Sequence, residues 1–313
     1  MKALVIWPGL TGYMSDGWRA LARRVELKVL LDGVGLGKGF SDEVMTGLDW
    51  DRVTASDAVE KVRAFAPDVV VLVGWRRRVP RKIAQAKELA DIPKLMVMDM
   101  PYRASLKCLL APLVLRRYLR RFRGVLVPGE ASARYARHLG FAEQWIFRHT
   151  VFVIDVKRFA AAAAGKTART GFLFVGRKVR AKGLGTLEKA YRRYRTRGGT
   201  WPLSVPAWIN PRDVPAAMAQ SACLVLPSRW EPWGVVVAEA KAAGMRVIVS
   251  DRVNARFDIP CDGVFPAGDA EALAREMLAA EKAGAPERTD MSHWDSSAWA
   301  ERLVKVFEEV TNG

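Results

Sequence analysis

Short apolar runs, rich in β-branched residues, alternate with amphipathic segments along the whole chain. The runs predict buried strands, and the segments between them predict helices. This alternation is typical of parallel sheets that helices cover on both faces. In the first half, strands are predicted at 3–7, 27–31, 69–73, 95–98 and 125–127, and helices at 16–24, 56–65, 81–90, 104–123 and 131–138.

The pattern restarts in the second half, after small and polar residues at 159–170 that are typical of a connection between domains. Strands are predicted there at 172–175, 203–205, 224–226 and 247–249, and helices near 184–195, 213–220, 234–243, 269–282 and 297–310. We therefore predict an α/β protein with two doubly wound domains, residues 1–155 and 156–295. Residues 296–313 form a C-terminal helix, for which packing back on the first domain is one arrangement.

The composition is that of a soluble globular protein. Half of the 313 residues are hydrophobic, 27% are charged, and the mean hydropathy is -0.01. No apolar run approaches the roughly 18 residues of a membrane helix, and the apolar start is too short for a signal peptide. Cys108, Cys223 and Cys261 form no motif, which is typical of a reducing compartment. We expect a cytoplasmic protein, with a peripheral position at the inner membrane face as the alternative.

The net charge of +17, from 50 Lys and Arg residues against 33 Asp and Glu residues, predicts an anionic partner. Residues 1–150 contain 26 basic and 15 acidic side chains, whereas residues 151–313 contain 24 and 18. The larger excess lies in the first half, so the site of a polyanion is expected there.

One strand, loop and helix of the second half place two carboxylates around a helix start. Glu231 lies in the loop, the helix begins near Gly234, and Glu239 lies more than a turn inside it. The N–H groups of Trp233, Gly234 and Val235 lie between the carboxylates and suit a phosphate. Each carboxylate can accept hydrogen bonds from vicinal hydroxyls, so the segment matches a sugar, a diphosphate and a ribose in line. The alternative is a pair of solvated surface carboxylates.

A second segment places cations after another predicted strand. The strand ends at Gly176, Arg177 follows at its carboxyl end, and Lys182 precedes the next helix. Two cations on one such loop can clamp a diphosphate and stabilise the negative charge that develops when its bond to a sugar breaks. The alternative is a loop that is merely basic.

Together, these segments resemble the family-4 retaining glycosyltransferases of the GT-B fold. The similarity is dense over residues 171–280 and looser in the first half. Its motifs in the second half are Phe-Val-Gly-Arg-x4-Lys-Gly, Leu-Pro-Ser-Arg-x-Glu-Pro-Trp-Gly-x3-Ala-Glu-Ala-x-Ala-Ala-Gly and Val-Phe-Pro-Ala-Gly-Asp-Ala-Glu-Ala-Leu-Ala. Its motifs in the first half are Gly9-Leu-Thr-Gly12, Val125-Leu-Val-Pro128 and Asp155-Val-Lys-Arg-Phe159.

The resemblance implies two Rossmann-like domains that face a central cleft, with a UDP- or GDP-sugar as donor. Arg177 and Lys182 would hold the donor diphosphate, Glu231 would contact the transferred sugar, and Glu239 would bind the ribose hydroxyls. The other residues implied to contact the donor are Gly9, Gly12, Gly176, Trp233, Gly234 and Val235. Neither a metal nor another cofactor is expected, because arginine, lysine and a helix end would take its place.

The acceptor is expected on the first domain, where we assign Tyr13, Arg76, Arg77 and Arg103 to its binding. Asp99 stands where the family tends to have a His at a strand end. It would orient a sugar hydroxyl or the acceptor, and capping of the following helix is the alternative.

The basic segments 75–82 and 104–123 suit an anionic membrane or a nucleic-acid backbone equally. We therefore predict a retaining, metal-independent glycosyltransferase whose acceptor is an anionic lipid-linked or envelope glycan, or a hydroxymethylated DNA base flipped from its stack. A small neutral acceptor is a third hypothesis. The alternative functions are a sugar-nucleotide epimerase or phosphorylase on the same fold, and a non-catalytic basic protein that binds nucleic acid.

Overall fold

The computed structural model describes residues 1–9, 12–33, 42–166, 169–284 and 288–312, except for the side chains of Tyr13 and Asp42. The chain forms two compact units, Met1–Val153 with Ser296–Gly313, and Ile154–Asp295.

The strands are β1 (Lys2–Trp7), β2 (Glu26–Leu31), β3 (Asp49–Arg52), β4 (Val69–Val73), β5 (Lys94–Val97), β6 (Gly124–Val127), β7 (Ile146–Arg148), β8 (Phe172–Leu173), β9 (Leu203–Ser204), β10 (Cys223–Leu226), β11 (Arg246–Ser250) and β12 (Gly263–Phe265). The helices are α1 (Gly12–Ala22), α2 (Ala58–Phe65), α3 (Arg78–Gln85), α4 (Leu106–Leu119), α5 (Glu130–His138), α6 (Val156–Ala162), α7 (Leu184–Thr196), α8 (Val214–Gln220), α9 (Val235–Ala242), α10 (Ala270–Lys282) and α11 (Ser296–Asn312).

The first unit is built on a parallel sheet in which the described strands follow the order β3-β2-β1-β4-β5-β6-β7. Side chains of β1 alternate between its faces. Leu4 and Ile6 belong to the core that includes residues of α2 to α5, whereas Ala3 and Val5 belong to the core that includes residues of α1 and α11. Because both faces are buried, the central strands are continuous apolar runs, and the sequence pattern located them for this reason.

The C-terminal helix α11 packs in the first unit. Trp299 and Phe307 are buried in the same core as α1, and Arg24 pairs with Glu301 at 2.7 Å. Gly17 of α1 allows the close approach, because a Cβ atom there would lie 3.1 Å from the Trp299 ring and 2.6 Å from Val153.

The second unit is built on a smaller parallel sheet, whose described strands follow the order β12-β11-β10-β8-β9. Its central strand β10 is completely buried. Two parallel sheets, each combined with helices, confirm the α/β class that the pattern predicts.

The sequence pattern missed three strands, β3, β7 and β12, and all three are edge strands. Strand β3 is Asp-Trp-Asp-Arg and is mostly exposed, while β7 and β12 have three residues each. An edge strand pairs on one side only and is partly open to water, so it lacks the apolar run by which a central strand is recognised.

The expectation of a connecting stretch at 159–170 is wrong for its first part, because residues of that stretch belong to α6. Asp155 caps this helix by accepting a hydrogen bond from Arg158 N at 3.0 Å, and Phe159 is buried. A run of alanines is the strongest intrinsic helix former, so one buried side chain and one cap suffice.

The predicted helix 104–123 is shorter in the structure, where it is α4. Ser105 is its N-cap and accepts a hydrogen bond from Cys108 N at 3.3 Å. Asp99 therefore does not cap it, and that alternative for Asp99 is wrong. Among the helices of the described residues, none is both long enough and apolar enough to cross a membrane.

Candidate functional site

The strand order of the second sheet reverses between β8 and β10. From β8 the chain continues to β9 on one side, and it then returns to β10 and β11 on the other side. The loops after β8 and β10 therefore start from neighbouring carboxyl ends at this reversal, which is where open α/β sheets bind ligands. Arg177 and Lys182 follow β8, and Glu231 follows β10.

These two loops are in direct contact. Lys182 ends a 3-10 turn, and Gly183 follows it at φ +70 as the N-cap of α7. A Cβ atom on Gly183 would lie 2.0 Å from the carbonyl oxygen of Pro227, so only glycine permits this approach. Arg229 N donates a hydrogen bond to Ala181 O at 2.7 Å and joins the loops a second time.

Lys182 and Glu231 form an ion pair at this contact, between Nζ and Oε2. The two side chains are 17% and 12% exposed. Ser228 Oγ donates a hydrogen bond to the same Oε2 at 3.2 Å. The other carboxylate oxygen, Oε1, has no hydrogen-bond partner among the described residues. The structure thus brings together two residues that the sequence assigned to different parts of a ligand, and leaves one acceptor oxygen available.

The backbone of Glu231 is held from a third strand end. Its N–H donates to Arg252 O at 3.1 Å, and Asn254 Nδ2 donates to Glu231 O at 2.9 Å. Sequence reasoning assigned no role to Ser228 or Asn254. Each is a polar residue within four positions of the end of a buried strand, and this position is the signal that was available.

Helix α9 begins directly behind Glu231. Gly234 is its N-cap at φ +110, and a Cβ atom there would lie 3.2 Å from Glu231 Cγ. The N–H groups at the start of a helix have no intrahelical acceptor, so those of Gly234 and Val235 suit an anion, as predicted. A carboxylate therefore lies beside helix-start N–H groups whose binding of an anion stays a prediction.

The Trp233 side chain does not face a ligand. It is buried, its Nε1 donates to Asp258 Oδ2 at 2.9 Å, and its ring packs on Trp294 with centroids 4.9 Å apart. A contact of Trp233 with the donor is thus limited to its backbone. Packing of this ring fixes the chain between Glu231 and α9.

Glu239 is half-buried on α9. Burial raises its pKa to about 7, against the opposing effect of the Arg158 charge. Its role at a ribose stays a prediction. Gly176 and Arg177 are exposed after β8, and Arg177 forms no ion pair among the described residues. The Arg177 guanidinium is therefore available to an anion.

The residues predicted on the first unit follow the carboxyl ends of its central strands. Gly9 follows β1, Arg76 and Arg77 follow β4, and Asp99 follows β5. These strands are adjacent, and the strand order reverses between β1 and β4. Asp99 is accessible to solvent, yet the surrounding protein desolvates it enough to raise its pKa.

Arg77 is already engaged within the protein. Its Nε donates to Asp32 Oδ2 at 2.8 Å, and its terminal NH2 group donates to Asp32 O at 3.0 Å. The Asp32 side chain is almost completely buried. Sequence reasoning missed Asp32, although an acidic residue directly after β2 was a visible signal. Arg76 is exposed, and the binding of an acceptor by either arginine stays a prediction.

The other predicted residues of this unit are Gly12, Arg103 and Tyr13. Gly12 begins α1, and Arg103 is exposed just before α4. The side chain of Tyr13 lies outside the described residues. The binding of the donor by Gly12 and of the acceptor by Tyr13 and Arg103 stays a prediction.

No group of three or more potential metal-ligating side chains occurs in the described part of the chain. The sequence has an Asp-x-Asp pattern at Asp49 and Asp51 on the edge strand β3. Both carboxylates pair with lysines, Lys28 at 2.8 Å and Lys61 at 2.5 Å.

Residues 202–293 match the family model described as Glycosyl transferases group 1. The match includes Glu231 and Glu239 and begins after Lys182. A search of the curated proteins finds no match.

Solved glycosyltransferase structures resemble the whole chain. One is Anabaena Alr3699/HepE in complex with UDP and glucose, with a TM-score of 0.73, 14% identity, and coverage of 99% of this chain and 100% of that one. Another is the lipopolysaccharide outer core galactosyltransferase WaaB in its apo form, with a TM-score of 0.69, 12% identity, and coverage of 99% of this chain and 100% of that one. A third is a trehalose-6-phosphate synthase analysed for glycosyl transfer with retention, with a TM-score of 0.69, 11% identity, and coverage of 99% of both chains. These similarities confirm the predicted GT-B fold.

Proposed function

We propose, from the match of residues 202–293 to the group 1 glycosyl transferases, that this chain is a retaining, metal-independent enzyme. It moves a sugar from a UDP- or GDP-sugar to a hydroxyl of an anionic acceptor, either a lipid-linked glycan or a hydroxymethylated DNA base. The glycosyltransferase class follows from the family match and the fold. Retention, metal independence and the nature of donor and acceptor are the proposal.

The observation that carries the proposal is the Lys182–Glu231 ion pair at the strand-order reversal. A lysine and a carboxylate in contact offer adjacent sites for a phosphate and for a sugar hydroxyl. Glu231 Oε1 is the available acceptor for that hydroxyl, and the start of α9 offers N–H groups beside it. Charge and hydrogen-bonding capacity thus match a sugar joined to a diphosphate.

The reaction requires that the bond between the anomeric carbon and the diphosphate breaks and that a bond to the acceptor oxygen forms. Arg177 and Lys182 stabilise the negative charge on the departing diphosphate. The acceptor hydroxyl enters on the face from which the diphosphate leaves, and its proton passes to a diphosphate oxygen, so the anomeric configuration is retained. Glu231 already binds Lys182 and Ser228, which supports a role in holding the sugar rather than in forming a covalent glycosyl intermediate.

The similar Anabaena protein holds UDP and glucose, which supports a uridine diphosphate donor for this chain. The half-buried Glu239 is the candidate for the ribose, because a carboxylate can accept hydrogen bonds from both of its hydroxyls. With two cations and a helix start for the diphosphate, the site has no need of a metal to neutralise its charge.

The test is transfer by the full chain from UDP-glucose and from GDP-mannose, with hydroxymethylated DNA and with lipid-linked glycan in anionic vesicles as acceptors. We expect a glycosylated product with the donor's anomeric configuration by NMR, and an unchanged rate in excess EDTA. An inverted product would contradict retention, and a rate abolished by EDTA would contradict metal independence. An epimerised sugar nucleotide or free sugar phosphate as sole product would favour the epimerase or the phosphorylase.

Donor affinity is expected to fall as the pH drops below about 7. Burial raises the pKa of Glu239 to about 7, so acidification protonates the carboxylate that would bind the ribose. If only the carboxylate form binds, affinity for UDP-glucose falls about tenfold per pH unit below that pKa. Calorimetry with UDP-glucose measures this directly, because its diphosphate does not titrate in that range. Glu239→Gln should bind more weakly and without this dependence, and a profile parallel to that of the unmodified protein would exclude Glu239 as its source.

A further inference from the structure

Helix α4 is apolar on two opposite faces. Its inner face, with Cys108, Ala111 and Tyr118, packs in the core of the first unit. Its outer face carries exposed aliphatic side chains, at Leu106, Leu109, Leu110, Leu113 and Val114. An apolar helix face is typically covered, and of the two apolar faces of α4 only the inner one is buried.

The exposed side chains form one continuous patch. Positions 106, 109, 110 and 113 are three and four residues apart and share a face of the helix. Leu113 is 74% exposed and Val114 is 77% exposed, so both project into solvent. Scattered single aliphatic residues on a surface are ordinary, but a contiguous patch marks a surface that binds something.

Positive charge surrounds this patch. Residues 100–129 contain seven basic residues and no acidic one. Arg116 and Arg117 follow the aliphatic patch along α4, Arg120 is the C-cap of this helix, and Lys107 lies in its first turn. In the described part of the chain these four cations form no ion pair. Arg116 and Arg117 lie three and four residues after Leu113, so the charges continue the same face.

The combination of aliphatic and cationic side chains selects among possible partners. A second copy of this helix would bring two sets of cations together, which repel each other. A nucleic-acid backbone would bind the arginines but leave the leucines in water. An anionic bilayer accommodates both, because leucine and valine enter the acyl boundary while arginine and lysine remain among the phosphates.

We propose that the outer face of α4 docks on the surface of an anionic lipid membrane. The helix lies in the plane of the interface, with Leu113 and Val114 inserted below the headgroups and Arg116 and Arg117 on the lipid phosphates. Docking depends on α4 alone and not on transfer. The consequence of docking for the acceptor rests on the proposed function. If the protein transfers a sugar, docking on a membrane favours a lipid-linked acceptor over DNA.

The experiment is flotation of the full chain with vesicles of phosphatidylcholine alone and of phosphatidylcholine with phosphatidylglycerol. We expect binding to the anionic vesicles only, weakened by salt. Arg116→Gln with Arg117→Gln should weaken it on the order of 30-fold, because each cation near such a surface contributes about a factor of five. Leu113→Ser with Val114→Ser should weaken it by at least about tenfold without changing the net charge.

Matched controls separate docking from general electrostatics. Lys189→Gln with Arg192→Gln removes the same charge from exposed positions on α7, and Trp208→Ser removes an exposed apolar side chain from the second unit. Both should bind vesicles like the unmodified chain. Equal loss in the α7 variant, or no vesicle binding by the unmodified chain, would overturn the proposal.

Two further measurements distinguish the other partners. If light scattering shows a dimer that Leu113→Ser with Val114→Ser dissociates, the patch is a protein interface and the proposal fails. If that variant loses affinity for duplex DNA rather than for vesicles, the proposal fails as well. Calorimetry with UDP-glucose should give the same affinity in every α4 variant. Absence of donor binding in the unmodified chain would count against the proposed function and leave the docking result unaffected.

Discussion

Substitution of Glu231 by glutamine is expected to lower kcat roughly 10³-fold, the effect of removing a preorganised electrostatic group at a site of developing charge. Glutamine keeps the size of the side chain but lacks the negative charge that stabilises a sugar becoming positive at its anomeric carbon. It would also present either a neutral oxygen or an NH2 group to Lys182 Nζ, which now binds Oε2. Single-turnover transfer with saturating donor measures this effect on the chemical step.

Ser228→Ala is the matched control for that substitution. It removes one hydrogen bond of 3.2 Å from a neutral hydroxyl to the same carboxylate oxygen but leaves the charge of Glu231 in place, so kcat should fall by about tenfold, far less than in Glu231→Gln. The Lys182–Glu231 pair is mostly but not completely buried, and its loss should cost on the order of 1 to 3 kcal/mol of unfolding free energy. Thermal unfolding should therefore show a folded Glu231→Gln protein at assay temperature. Full activity in that folded variant would remove Glu231 from the mechanism.

Substitution of Arg177 by alanine is expected to lower kcat/KM by about 10²- to 10³-fold. Arg177 lies in the loop after β8, is exposed, and forms no ion pair among the described residues. It can therefore bind the departing diphosphate through two parallel hydrogen bonds. Arg177→Lys keeps the charge but not this geometry and should recover only part of the rate. Steady-state kinetics with UDP-glucose distinguish the three proteins.

Lys178→Ala removes the same charge from the neighbouring exposed position and tests whether the loop is merely basic. If Arg177 acts through specific contacts, Lys178→Ala should change kcat/KM by no more than about threefold, because an exposed charge at a distance is screened. Similar losses in both variants would show that the loop attracts the donor by its overall charge. Arg177 would then have no specific part in catalysis.

Membrane docking through α4 would give the charge of the first half a definite use. Cations of the second unit, chiefly Arg177 and Lys182, serve the donor in the proposed reaction. The excess between residues 100 and 129 would hold the protein at the surface that carries its acceptor. Increasing salt should then reduce transfer to a vesicle-borne acceptor more than it reduces donor binding.

The central strands of both sheets were predictable, because strands buried on both faces must be apolar at every position. Lys182, Arg177 and Glu231 were recognisable as candidates because each follows such a strand. Their pattern did not show that Lys182 binds Glu231 itself. That contact depends on the meeting of two loops distant in sequence, which requires glycine at position 183.

The sequence did not show in which direction the side chains of the candidate residues point. Trp233 is suited to stacking on a ligand, yet its ring is buried against Trp294, and Arg77 is bound to Asp32. Such partners are far apart in the chain, and local spacing carries no information about them.

By itself, the sequence determined the alternation of strands and helices, the two doubly wound units and the residue types at the strand ends. These properties follow from burial and chain geometry, which act locally. The tertiary structure alone decided which polar residues pair, which edge strands form and which apolar face of α4 remains uncovered. Periodicity shows that a face is apolar, but only packing in space determines whether anything covers it.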